Sequence, residues 1–398
     1  MARLDPVENE RPLLAILVVL VFLTPFAVDA YLPALPGIAR DLAAPGAMVQ
    51  LTIGAFLAGM AAGPLMMGPL SDRFGRRPPL VVGLAIFAIA SAACALVSSV
   101  EALIAWRFVQ AAIGSAALVS GTALLADLYD RDTMAARQSF LMIFVSTAPM
   151  IAPLVGEWIA SASSWRGIFW MLTFVGAAAG LATFVFLPET LPPEKRSSVS
   201  PGALARGYLS ILGNRTARLY IITGGCMSGG FFAYLAGSPF LYQNLLGFSS
   251  SGYAWIFALG AALCVPINIL NIRLVRRLGF RRTLLYQGIA AITLGAALFL
   301  GAFGGLGSWL ILLSGVFLMP FQHIVTANCQ AGVLNQFDTR KGAASAVALS
   351  SRFAAGAVAV AIMGETGGTA AGYALTIFAF LALTGVMAQF TVRRDKTA

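Results

Sequence analysis

The feature that most constrains this chain is a succession of apolar runs, each about twenty residues long and nearly free of charge. A helix needs ~20 such residues to cross ~30 Å of hydrocarbon. The runs fall at 13–35, 48–69, 79–98, 102–127, 137–160 and 165–187, and again at 218–242, 251–275, 282–302, 307–334, 342–363 and 370–392. They predict twelve spans in an all-α integral membrane protein. A membrane barrel would instead show segments of about ten residues with alternating polarity. Composition agrees, because only 11% of the residues are charged, against about 25% in a soluble domain.

The net charge of +10 raises the question of nucleic acid. The basic residues, however, form short clusters between apolar runs rather than one patch, and no nucleic-acid partner is expected. Counting Lys and Arg orients the spans. Arg3, Arg11, Arg73, Arg76, Arg77, Arg131, Arg137, Lys195, Arg196, Arg206, Arg215 and Arg218 fall on one side, as do Arg273, Arg276, Arg277, Arg281, Arg282, Arg340, Lys341, Arg393, Arg394 and Lys396. That is 22 of the 26. The opposite loops hold Arg40 and Arg166, and Arg107 and Arg352 fall within spans. By the positive-inside rule both termini are cytoplasmic. The four cysteines, Cys94, Cys226, Cys264 and Cys329, sit singly inside apolar runs and read as small buried hydrophobes, with no disulfide or metal set. Residues Met1 to Pro12 lead into a retained first helix.

The longest polar stretch, Pro188 to Arg218, divides six spans from six. The expected domains are an N-terminal bundle over 1–190, a cytoplasmic linker over 191–217 and a C-terminal bundle over 218–398. An internal echo supports the division: Arg73-Phe74-Gly75 with Arg76-Arg77 follows the second span, and Arg277-Leu278-Gly279 with Arg281-Arg282 follows the eighth. Two parallel six-helix repeats that rock about a central site suit alternating access. A channel does not need that duplication. An enzyme would need a convergent nucleophile, base or metal set, and the spans offer one histidine and no such cluster.

Gly68-Pro69-Leu70-Ser71-Asp72-Arg73-Phe74-Gly75-Arg76-Arg77 resembles the signature loop of the major facilitator superfamily. Arg107, Gln110 and Gly114 resemble its Arg-x-x-Gln-x-x-x-Gly pattern. Ala152-Pro153-Leu154-Val155-Gly156 is similar to the Gly-Pro-x-x-Gly motif of drug antiporters, with Ala152 for the first glycine and Glu157 for the last. Asp29-Ala30-Tyr31-Leu32-Pro33-Ala34-Leu35-Pro36, Pro188-Glu189-Thr190-Leu191-Pro192-Pro193-Glu194 and Ser351-Arg352-Phe353 resemble the Bcr/CflA family of bicyclomycin and chloramphenicol–florfenicol exporters. The resemblance implies a monomeric bacterial inner-membrane antiporter. It would exchange small amphipathic drugs for protons and need no cofactor beyond the proton gradient. A major facilitator carrying a nutrient or nucleoside-like metabolite is the alternative.

Asp29 is the one acid deep inside a span. A bare carboxylate there costs at least ~2.5 kcal/mol on the insertion scale, and a reversible proton carrier needs such a site. Its alternative is a permanent ion pair. The expected partner is Arg107. Both lie at similar depth by the 1.5 Å rise per residue, and the resemblance puts this arginine beside the first-span acid. Arg352 reads as a pocket or gating residue near mid-membrane. Glu157 reads either as an interfacial ion pair with Arg166 or as an accessory proton site. The resemblance makes Asp72, Arg76 and Asp127 a charge cluster that latches the two halves. Pro153, Gly156 and Glu157 carry the antiporter motif. Asp130 and Asp132 read as solvated loop charges. His323 is expected to be neutral, buried and hydrogen-bonded, with proton work as the alternative. Tyr31, Phe231, Tyr234, Asn328, His323 and Arg352 are the candidate lining of a drug cavity.

Overall fold

The computed structural model describes residues 10–196, 201–303, 308–338, 340–366 and 369–395. The calls on Arg3 and Lys396, and on the side chains of Arg11, Arg131 and Lys195, lie outside the described residues. Among the described residues, twelve helices are long and apolar enough to cross a membrane, and no strand occurs. An even number of spans brings both ends of the chain to one face, here called the linker face.

The N-terminal half comprises α1 (Glu10–Asp29), α2 (Leu35–Asp41), α3 (Gly46–Phe74), α4 (Arg77–Leu96), α5 (Val100–Leu128), α6 (Arg131–Ala162) and α7 (Trp165–Phe186). The linker carries α8 (Pro201–Gly213). The C-terminal half comprises α9 (Arg215–Phe240), α10 (Ser250–Ala262), α11 (Cys264–Leu278), α12 (Phe280–Phe303), α13 (Ser308–Leu334), α14 (Lys341–Glu365) and α15 (Ala370–Arg394). Side-chain caps start several helices where orphan N–H groups need acceptors. Ser99 serves α5, Asn214 α9, Ser249 α10 and Thr369 α15. Asp130, expected to be a solvated loop charge, caps α6 by accepting from Asp132 N and Thr133 N at 3.0 Å. The Thr133 N–H bond holds its carboxyl below the ordinary value.

Proline sets the interruptions. Residue 33 would donate to the Asp29 carbonyl in a continuous helix, but Pro33 has no N–H. α1 therefore ends at Asp29, a short 3-10 turn spans Leu32–Ala34, and α2 completes the first span. The expected boundary at residue 35 ran through this break and stopped short of α2. Pro266 does the same to the eighth span by leaving the Ala262 carbonyl without its donor, which separates α10 from α11. The seventh span ends in a π turn, Leu241–Leu245, closed by Leu246 N to Leu241 O at 3.1 Å.

The two halves repeat one packing scheme. Spans three and six pair as α4 with α7, and spans nine and twelve as α12 with α15. Spans one and five pair as α1 with α6, and spans seven and eleven as α9 with α14. Between halves, α3 packs on α14 and α6 on α10, as a two-fold relation requires.

Contacts between the halves are made at the end away from the linker face. Away from the linker face, a β-carbon added at Gly54 would lie 3.2 Å from Val360 Cγ1, and Gln50 Nε2 donates to Tyr373 OH at 2.7 Å. Gln243 on the π turn donates to Pro33 O at 2.9 Å. Toward the linker face, α3 and α14 instead bound a cavity of about 530 Å³ that reaches from Ala58 to Leu65 and from Val347 to Val358. There α8 bridges the halves: Tyr208 OH donates to Leu65 O and Arg340 Nη1 to Ser210 Oγ, each at 3.4 Å. The linker thus contains a helix where the sequence suggested only a polar segment. Its signal was the apolar spacing of Leu204, Tyr208, Ile211 and Leu212, and Ile211 is fully buried.

Candidate functional site

Asp29 is the last residue of α1, at the break in the first span. The residues that follow it, Leu32–Ala34, pack on α9 and α10 of the other half. The acid therefore lies where the two halves meet. It is 7% exposed and makes no hydrogen bond or ion pair among the described residues. It also lies close enough to Tyr253 on α10 for the two to interact electrostatically.

The antiporter motif holds this break from behind. A β-carbon at Gly156 on α6 would fall 1.6 Å from the Ala30 carbonyl oxygen. Only glycine lets α6 approach the exposed backbone that closely. Ala152 and Pro153, one turn earlier, are buried with it.

Arg107 is fully buried on α5 and makes no ion pair with Asp29 in this state. Its guanidinium lies over the ring of Phe56 at 4.2 Å and over that of Tyr31 at 4.4 Å, with Phe169 at 5.7 Å. Nη1 donates to Gln110 Oε1 at 2.6 Å, Gln110 Nε2 donates to Ser91 Oγ at 2.7 Å, and Ser91 Oγ donates to Phe87 O. Nε and Nη2 have no hydrogen-bond partner. The physical reason is the break. Tyr31 sits in the turn after α1 stops, and its ring covers the arginine there. Cation–π contact with desolvated rings offsets part of the penalty of a buried charge.

Several expected lining residues are occupied in packing. Tyr31 is fully buried, with its hydroxyl 2.8 Å from Thr52 Oγ1. Phe231 stacks on Phe232, and Tyr234 OH donates to Tyr242 OH at 3.4 Å. Asn328 belongs to a buried amide cluster joining three helices. Its Nδ2 donates to Asn271 Oδ1 at 3.2 Å and Gln287 Oε1 at 3.1 Å, and Gln287 Nε2 donates to Asn271 Oδ1 at 2.9 Å. Each of these groups found a partner inside its own bundle, where an unpaired polar atom is costly.

Arg352 donates from Nε to Ser228 Oγ at 3.2 Å and faces Thr326, Cys329 and Gln330. His323 Nδ1 lies 3.0 Å from Met319 O, which makes Nδ1 the protonated nitrogen and leaves Nε2 bare. The ring has the expected hydrogen bond, and protein encloses it on α13 although part of its surface stays accessible.

At the linker face the three expected cluster residues do meet. Arg76 Nη1 contacts Asp72 Oδ1 at 2.5 Å, and Arg76 Nε contacts Asp127 Oδ2 at 2.9 Å. All three belong to one half, so the cluster latches nothing across the interface in this state. Glu189 completes it and was missed. Its carboxylate accepts from Arg76 N at 2.8 Å and Arg77 N at 3.3 Å, capping α4. An acid directly after the sixth span was the available signal.

At the opposite face Glu157 does not pair with Arg166. Arg166 and Trp165 Nε1 bind Asp41, which α2 delivers there. Glu157 Oε1 instead accepts from Ser251 Oγ at 2.7 Å and Ser250 Oγ at 3.4 Å, in the first turn of α10 of the other half. A cavity of about 510 Å³ opens beside it, lined by Gly37, Trp165, Gln243 and Phe248 among others. No cluster of metal-ligating side chains occurs among the described residues.

Residues 17–360 match the sequence profile of the Major Facilitator Superfamily. A bicyclomycin resistance protein homolog of Haemophilus influenzae is 30% identical over 340 residues, 85% of each chain. The uncharacterized MFS-type transporter YdgK of Bacillus subtilis is 38% identical over 258 residues, 64% of each chain. The multidrug resistance protein MdtL of Escherichia coli O139:H28 is 32% identical over 63% of each chain. The matched region thus spans a little under two thirds of YdgK and MdtL. Among solved structures, the nucleoside transporter NupG superposes with a TM-score of 0.71 at 16% identity, covering 96% of this chain and all of that one. A D-xylose-proton symporter superposes with a TM-score of 0.70 at 16% identity, covering 96% of each. At such identities these two describe the fold alone.

Proposed function

The chain belongs to the Major Facilitator Superfamily, and from that premise we propose that it is a proton-coupled exporter of small amphipathic drugs in a bacterial inner membrane. The observation that carries the reading is Asp29, an unpartnered acid at a proline-made break where the two halves touch. The names of the sequence relatives, bicyclomycin and multidrug resistance proteins, support the drug class. They weigh against the nutrient or nucleoside alternative, whose support is fold alone.

With Lys and Arg concentrated on it, the linker face is the cytoplasmic one. On this reading the contacts of Gly54 with Val360 and Gln50 with Tyr373 hold the outer side, and the cavity between α3 and α14 is the inward approach. In this state Asp29 releases its proton inward and drug enters between α3 and α14. Movement of the halves carries drug and carboxylate to the outside, where protonation of Asp29 favours release. We assign the Asp29–Arg107 pair to the outward-open state. There a turn of the break would replace the Tyr31 ring by the carboxylate on the guanidinium. Drug must favour one state over the other, or nothing is coupled. The proposed cycle draws on the proton gradient alone, with one chain as the working unit.

The test is a drug panel scored for resistance in an export-deficient host. Wild type should raise resistance to at least one amphipathic drug, and Asp29→Asn should remove that gain at equal membrane abundance. Equal resistance in the two strains would remove Asp29 from the mechanism.

A further inference from the structure

The net charge is divided very unevenly. Residues 1–200 contain 12 Lys and Arg against 13 Asp and Glu, whereas residues 201–398 contain 14 against three. No acid occurs between Glu194 and Asp338. Of the three acids in the second half, Glu365 ends α14 on the far face, and Asp395 is buried against the Tyr220 hydroxyl at 2.5 Å. The excess is densest at the turn from α11 to α12, where Arg273, Arg276, Arg277, Arg281 and Arg282 fall within ten residues. All five are exposed. Arg281 donates to Val392 O at 2.8 Å, and the other four have no hydrogen bond or ion pair among the described residues.

The internal repeat shows what this turn lacks. Its counterpart in the first half turns at Gly75 (φ 96°) and supplies its own anions. Glu189 caps the next helix and Asp72 takes the Arg76 guanidinium. A β-carbon at Gly75 would meet Glu189 Oε2 at 2.3 Å. In the second half Gly279 turns with φ 79°, and nothing lies within 4 Å of its β-position. Aligning Gly75 with Gly279 puts Arg276 where Asp72 stands. The same scaffold is neutralised internally in one half and left bare in the other.

We propose that this turn docks an anionic phospholipid, whose headgroup phosphate supplies the charge that Asp72 and Glu189 supply in the first half. The exposed face of α12 argues for a lipid rather than a soluble anion. Arg282, Tyr286 and Ile289 succeed one another at helical spacing, with Tyr286 58% and Ile289 54% exposed. That order, cation, amphipathic ring, aliphatic chain, matches the phosphate, interface and acyl layers of a leaflet. Clusters of four to eight basic residues beside a span bind acidic lipids through the same electrostatics.

The proposal requires no transport step and is tested without one. Native mass spectrometry of the full chain in detergent, with equal concentrations of phosphatidylglycerol and phosphatidylcholine, reads lipid retention directly. Wild type should retain phosphatidylglycerol about tenfold over phosphatidylcholine, and millimolar inorganic phosphate should not displace it. Replacing Arg273, Arg276, Arg277 and Arg282 by Gln should abolish the preference, replacing them by Lys should keep most of it, and Arg73→Gln in the first half should leave it intact. If the fourfold Gln variant does not fold, Arg276→Gln with Arg277→Gln should reduce the preference about threefold. Unchanged preference in the folded Gln variants would overturn the proposal. So would displacement of lipid by inorganic phosphate, which would make this a soluble-anion site.

Discussion

Arg107 is the residue whose surroundings say most about how this site is built. A cation without a carboxylate survives in the bundle because rings cover its faces and Gln110 takes one of its N–H groups. Its planar group is suited to both arrangements proposed here, ring stacking and carboxylate pairing. Arg107→Lys should therefore retain only part of the efflux, since an ammonium loses the stacked contact, and Arg107→Ala should retain none. Resistance titres at matched expression decide between these outcomes. The burial of both Asp29 and Arg107 was legible in the sequence, and their mutual geometry was not. Counting 1.5 Å per residue gives depth along a span, and it brought Arg107 to the level of the break, where Tyr31 meets it. Azimuth is lost as soon as a helix breaks. Pro33 and Pro36 announced that break, but the run around them is apolar enough to read as continuous.

Among elements, the contact of α6 with its neighbours carries two tests. Gly156 admits the Ala30 carbonyl at a distance no side chain allows. Gly156→Ala should force the break away from α6 and destabilise the protein by about 1–3 kcal/mol, the range for overpacking, read as a lower melting temperature in detergent. Ala152→Gly, on the same buried face, should lose only about 1 kcal/mol, the helix propensity of alanine over glycine, and should leave the break in place. Glu157 reaches the first turn of α10, where a carboxylate is favoured by the helix dipole and by two serine hydroxyls. Hydrogen bonds to charged groups contribute about 1 kcal/mol more than neutral ones. Glu157→Gln should thus shift the population toward outward-open by roughly fivefold. Hydrogen exchange over 246–252 would rise in that variant, and unchanged exchange would show that the contact does not hold the outer face closed. The identity of the motif was visible from Pro153 and Gly156. The partner of Glu157 was not, because contacts between halves leave no periodic trace in the chain. α2 went unseen for a related reason: seven residues after a proline pair give too short a pattern, and with it went Asp41 as the partner of Arg166.

The whole molecule is a repeat with two unequal halves. Span number, span limits to within a few residues, and the matching turns at Gly75 and Gly279 were readable because the bilayer imposes a length and the basic clusters punctuate it. The contact of Gly54 with Val360 across the halves was not readable, because it joins spans two and eleven with no local pattern to announce it. Reporter fusions at Arg206 should report the cytoplasm, and an external signal there would invert every assignment of inside and outside. The central claim is that drug and proton compete through Asp29. It is tested most directly by proton release from purified protein in weak buffer on addition of the drug that scores highest in the resistance panel. Wild type should release protons on binding, and Asp29→Asn should bind the drug without release. Wild-type stoichiometry and pH dependence in the Asp29→Asn protein would contradict the account and move the coupling acid elsewhere, first to Glu157 and then to His323.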